Sequence, residues 1–124
     1  MAYQKFEPGE SLAEQTYNAI EKADDTGKVV IGTNEVTKAI ERNEAELVIL
    51  ASDVSPEEIV MHIPALADEK DIGYTFVPEK EELGLAAGIN VQSAAIAITS
   101  VGQAEDDVDD IKLKARELLD KDEE

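Results

Sequence analysis

The side chains with the widest choice of chemistry lie in Gly32-Thr33-Asn34-Glu35-Val36-Thr37-Lys38, followed by Arg42. A glycine turn leads here from a β-branched run into what reads as a helix. At about 100° per residue, with Asn34 as origin, Lys38 falls near about 40°, Arg42 near about 80° and Glu35 near about 100°. Val36, Ala39 and Ile40 fall between about 140° and 240°, so one face is apolar and the other presents an amide, a carboxylate and two cations. The polar face begins at the helix N-terminus, where free N–H groups and the positive dipole end favour a phosphate. An amide both donates and accepts, a carboxylate accepts from guanine N–H groups, and Lys or Arg can bond guanine O6, N7 or a phosphate. Together they suit the reading of a base edge, whereas a site for phosphate alone has no use for Glu35. The same residues also suit an ordinary helix start, with Thr33 or Asn34 as N-cap and the pairs Glu35–Lys38 and Lys38–Arg42 as surface partners.

A second segment, LGLAAGINV at 83–91, allows close backbone approach at Gly84 and Gly88 and places Ile89 and Val91 around Asn90. An apolar tip of this kind can meet a splayed base. It can equally be a helix C-cap glycine followed by core strand residues.

Catalysis has little to work with. His62 is the only histidine, no cysteine is present, and no nucleophile, metal-ligand spacing or phosphate-cradling glycine loop accompanies it. In EEIVMHIPAL it is expected as a packed or capping side chain. Glu57-Glu58, Glu81-Glu82 and Asp109-Asp110 are adjacent pairs that do not share a helical face, and are read as solvated acids. Asp53, after an apolar run, is the one candidate phosphoacceptor, in a receiver-like signalling domain. Receivers need an acidic pair at the end of the first strand, where this chain has Thr33-Asn34.

The elements that must position these residues alternate. Ser11-x-x-Glu14 has capping-box form before a helix toward Ala23, after Pro8-Gly9 ends a lead-in over residues 1–10. Strands are expected over 28–31, 47–51, 74–77 and 93–98, the second buried on both faces because it is continuously apolar. Helices are expected from Thr33 or Asn34 to about Arg42, from Ser55-Pro56 to Lys70 with an interruption at Pro64, from Lys80 to Ala87, and from Glu105 to Leu119. Residues 120–124 read as a frayed acidic tail. This alternation predicts an α/β fold, a three-layer α/β/α sandwich around a mixed sheet of about four strands, in a single domain over residues 1–124.

With 43% hydrophobic and 4% aromatic residues, the core must come mainly from Ile, Leu, Val and Ala. No segment has the form of a secretory signal or approaches the roughly twenty apolar residues of a membrane span, so a cytoplasmic protein without a membrane partner is expected. The net charge of −18, from 29 acids against 11 Lys and Arg, runs against nucleic-acid binding. Its distribution answers part of that objection, because in residues 28–42 Lys28, Lys38 and Arg42 outnumber Glu35 and Glu41. Charge of this size keeps a protein soluble at high salt, where screening is short-ranged, and is read as an intracellular salt adaptation.

GTNEVTKAIER at 32–42, AELVILASDVSPEEIVMHIPALADEK at 45–70 and LGLAAGINV at 83–91 together resemble the archaeal L7Ae family of ribosomal proteins, in order and spacing, over nearly all of the chain after about residue 10. The resemblance implies a protein that binds kink-turns, RNA stems bent at a three-nucleotide bulge beside sheared G·A pairs. It implies that Asn34, Glu35 and Lys38 read the guanines of those pairs, and that Gly32, Thr33 and Arg42 serve backbone approach and phosphate contact. Ile89, Asn90 and Val91 correspond to the loop against the bulged nucleotides, and Ile59 and Lys80 to the pocket of the extruded base. Implied partners are kink-turns of rRNA in the large subunit, of box C/D and box H/ACA guide RNAs and of ribonuclease P RNA, with guide-RNP proteins. No cofactor and no enzymatic activity are expected.

Overall fold

A computed structural model of the chain describes residues 3–123. Four strands form one sheet, β1 Lys28–Ile31, β2 Leu47–Ala51, β3 Tyr74–Val77 and β4 Ala95–Ser100, in the order β1-β4-β2-β3. β4 runs antiparallel to β1 and β2, and β2 is parallel to β3. Every residue of β2 and β3 is buried, as strands covered by helices on both faces require. The helices are α1 Glu10–Thr26, α2 Thr33–Glu41, α3 Ile63–Glu69, α4 Lys80–Ala86 and α5 Glu105–Glu123. α1 packs with α4 and α5, and α2 packs with α3, so the expected α/β architecture with a four-stranded mixed sheet is the one observed.

The core is largely Ile, Leu, Val and Ala, joined by an aromatic group in which Phe6 meets Phe76 edge to face at 5.1 Å. Tyr3 and Phe6 of the lead-in therefore belong to the core.

Several boundaries differ from expectation for local reasons. α1 starts at Glu10 with Gly9 as N-cap at φ 87° and no side-chain cap, so the Ser11 capping box does not form. Pro56 is extended, and Glu57–Ile59 makes only a 3-10 turn before α3 begins at Ile63. Pro64 therefore opens a helix instead of interrupting one, because its missing N–H is no loss in the first turn. β4 begins at Ala95, two residues later than expected, because the Ser93 N–H is spent on the Lys80 carbonyl and its hydroxyl on the Ala95 carbonyl. α5 continues past Leu119 through Glu123, with Arg116 and Asp120 paired at 3.3 Å, so the helix runs on into the segment expected as a tail. Met1, Ala2 and Glu124 lie outside the described residues.

Because β1 and β2 both run against β4, and β3 runs with β2, the C-terminal ends of β1, β2 and β3 and the N-terminal end of β4 share one edge of the sheet. The segments that leave or enter there are 32–38, 52–62, 78–80 and 87–94.

Candidate nucleic-acid interface

α2 is launched by Gly32, whose φ of 99° and ψ of 151° suit a residue without a Cβ. Its N–H donates to the Ala95 carbonyl at 2.9 Å, and its carbonyl accepts from the Val36 N–H at 2.9 Å. Gly32 is thus the N-cap, in place of the expected Thr33 or Asn34. The consequence is chemical: the Asn34 side chain is not consumed by capping, and the N–H groups of Thr33, Asn34 and Glu35 precede the first intrahelical bond.

Asn34, Glu35 and Lys38 are exposed and Thr33 is half-buried, while Val36, Ala39 and Ile40 are buried, so the angular division read from the sequence is the division the fold uses. Lys38 Nζ lies 3.4 Å from Glu35 Oε1. With both side chains more than half exposed, the pair is weak and an incoming polar ligand can replace it.

Facing this helix start is Ile59, 43% exposed, and together Ile31, Gly32, Thr33, Asn34, Glu35 and Ile59 line a shallow open concavity. Ile59 is therefore a surface residue, not plain core. Arg42 is the exposed C-cap of α2, about 12 Å along the helix from Asn34, and does not join the concavity. Lys80 is also outside it. The backbone N–H of Lys80 donates to Asp53 Oδ1 at 2.9 Å, its carbonyl accepts from the Ser93 N–H at 3.0 Å, and its side chain is half-exposed at the start of α4.

The Ile89 N–H bonds the Gly84 carbonyl at 3.1 Å and its side chain is half-buried, but Asn90 and Val91 are exposed, Val91 by 67%. They share a second depression with Glu81, Leu85 and Gln92. Leu85, 57% exposed, was not anticipated. The available signal was a leucine left on the polar face of α4, whose buried residues are Leu83, Gly84 and Ala86. His62 was also misjudged. It stands at the N-cap position of α3, but its side chain is exposed and makes no cap bond, with Nε2 2.9 Å from Thr37 Oγ1.

Charge separates this face from the rest of the same end of the molecule. The concavity has one carboxylate, Glu35, beside Lys38. A larger groove between α1 and the loops after β2 and β3, about 720 Å³, is lined by Glu7, Glu10, Glu14, Asp53, Glu79 and Glu82 with no Lys or Arg, and would repel an anionic backbone. The receiver-like alternative gains no support, because Asp53 is engaged by the start of α4 and the sheet contains the antiparallel β4. Among the described residues there is no group of three or more His, Asp or Glu that could hold a metal, and no helix long and apolar enough to cross a membrane.

A mixed four-stranded sheet with an amide, a carboxylate and a cation on one glycine-launched helix start defines a recognisable class. The chain belongs to the Ribosomal protein L7Ae/L30e/S12e/Gadd45 family, whose model matches residues 14–108. It is 57% identical over 116 residues to the large ribosomal subunit protein eL8 of Haloquadratum walsbyi, covering 94% of this chain and 97% of that relative. Among solved structures it is similar to the 15.5kD RNA binding protein of Giardia lamblia, with a TM-score of 0.85 and 31% identity over 89% of this chain and 92% of the other.

Proposed function

We propose that this protein is an RNA-binding component of the large ribosomal subunit that captures kink-turns. The observation that carries this reading is the placement of exposed Asn34 and Glu35, with Lys38 beside Glu35, opposite exposed Ile59 across one open concavity. Asn34, Glu35 and Lys38 read the guanine edges of the sheared pairs, while Gly32 and Thr33 let the phosphate backbone approach the free amides of α2. Ile59 receives the extruded base, Lys80, outside the concavity, completes the pocket of that base from the start of α4, and Arg42 meets the backbone farther along the helix. Ile89, Asn90 and Val91 pack on the bulged nucleotides, joined by Leu85. The names of the two relatives, one a large-subunit protein and one an RNA binder, agree with this reading.

The mechanism is population shift without chemistry or cofactor. A free kink-turn samples bent and extended forms, and a protein that contacts only the bent form draws the RNA into it. The same recognition extends to the kink-turns of box C/D and box H/ACA guide RNAs and of ribonuclease P RNA, where guide-RNP proteins dock on the combined protein–RNA surface. The acidity fits a cytoplasmic ribosome working at high salt. Crosslinking and immunoprecipitation from the source cell, with sequencing of the bound RNA, tests the target set. Enrichment of kink-turn segments supports the reading, and recovery of RNAs without a bulge and sheared G·A pairs contradicts it.

A further inference from the structure

The hydrogen bond between Thr37 and His62 links the two segments that carry the walls of the concavity, α2 and the stretch after Ile59. Thr37 Oγ1 lies 2.8 Å from the Thr33 carbonyl and 2.9 Å from His62 Nε2. A hydroxyl has one proton, and a carbonyl can only accept it, so toward His62 the Thr37 oxygen is the acceptor and Nε2 carries the hydrogen. The chain His62–Thr37–Thr33 thus ends on the first residue of α2, beside Asn34 and Glu35. His62 itself lies three residues from Ile59, which forms the opposite wall. Among the described residues, no other side-chain hydrogen bond or ion pair joins α2 to the segment 57–62.

Resting on the kink-turn reading, we infer that His62 is a positioning residue: its bond to Thr37 sets the first turn of α2 relative to Ile59, so that one RNA engages the guanine readers and the extruded-base pocket together. Base recognition needs its groups held to about half an ångström, which side chains outside the contact surface must supply. His62 is exposed, and one exposed hydrogen bond contributes little to folding, so its effect falls on geometry and not on stability.

The test uses His62→Leu, Thr37→Val, their double variant and His62→Gln, which keeps an N–H donor at similar reach. Affinity for a kink-turn RNA is expected to fall about three- to tenfold in each of the first two, the worth of one hydrogen bond. The double variant should be no worse than Thr37→Val alone, because that change already removes the bond His62 makes. His62→Gln should recover most of the loss, with Tm nearly constant throughout. Equal affinity in all variants, additive losses, or a Tm falling in step with affinity would overturn the inference. A second arm uses no RNA: in the free protein, His62→Leu should shift the amide resonances of Thr33, Asn34, Glu35 and Ile59. If those resonances stay in place, the link does not position the walls. A wild-type protein that ignores the RNA refutes the function instead, and the amide arm still decides the role of His62.

Discussion

The carbonyl oxygen of Val91 lies against the α-carbon of Gly84, so closely that a Cβ on Gly84 would overlap it. The contact joins α4 to the loop before β4 and so holds exposed Asn90 and Val91 beside Leu85. Gly84→Ala must push the loop away or strain the helix, and is expected to cost about 1–3 kcal/mol in urea unfolding, the usual size of overpacking. Affinity for kink-turn RNA should drop with it. Parental stability in this variant would show that the approach is not tight.

Asn34, Glu35 and Lys38 offer the reverse separation of stability from function. Each is exposed, and the one ion pair among them is a surface pair. Alanine at any of the three should weaken RNA binding by about 1–3 kcal/mol, the worth of a good base contact. Its effect on folding should stay within about 1 kcal/mol. A triple alanine variant with normal affinity would return α2 to an ordinary surface helix.

Tyr3 ties the lead-in to the loop below Ile59. Its buried hydroxyl donates to the Ala51 carbonyl at 2.7 Å and accepts from the Val54 N–H at 3.2 Å. Burial raises its pKa above the ordinary tyrosine value, with Asp53 and Glu57 adding to the rise and the Val54 bond opposing it. A raised folded-state pKa favours the neutral form, so this contribution to stability is complete below the ordinary tyrosine range, near pH 10, and is lost as pH climbs through the folded value. Tyr3→Phe should cost about 1–3 kcal/mol at neutral pH by leaving the Val54 N–H unpaired, and should flatten the alkaline loss of stability. Tyr17, also raised by burial first, keeps some of that loss in place. An unchanged alkaline profile in Tyr3→Phe would contradict the assignment.

The conflict between a charge of −18 and an anionic ligand sets the salt dependence. Few cations are available to displace counterions, and the slope of affinity with salt is about 0.7 to 0.9 per neutralised phosphate, so affinity should fall only shallowly as potassium chloride rises. Screening of repulsion between acids and RNA can even improve binding at first, and should raise Tm by relieving repulsion among carboxylates. Parallel titrations of affinity and Tm check both. A steep loss of affinity with no gain in Tm would mean the acidity has been misread.

Much of this was legible because it depends on period and order. The face of α2 followed from a 3.6-residue period, and the buried β2 from an unbroken apolar run. What escaped depends on local competition between hydrogen bonds. Ser11 could have capped α1, but Gly9 did; Pro64 reads as a break until the chain before it is seen to be a single 3-10 turn. Ser93 has the neighbours of a strand residue, yet its N–H goes to Lys80. The Thr37–His62 bond spans 25 residues and two elements whose packing no local pattern specifies, and Ile59 could be told from core only once the turn carrying it was placed.

The central claim is that the concavity between α2 and Ile59 selects a bent RNA. Fluorescence transfer between dyes on the two stem ends of a kink-turn, titrated with the purified protein and no cofactor, measures the bend and the affinity at once. The account predicts a rise in transfer that saturates, and little binding to the same RNA with its sheared G·A pairs replaced by Watson–Crick pairs. Equal affinity for the two RNAs, or binding without a change in transfer, would contradict it.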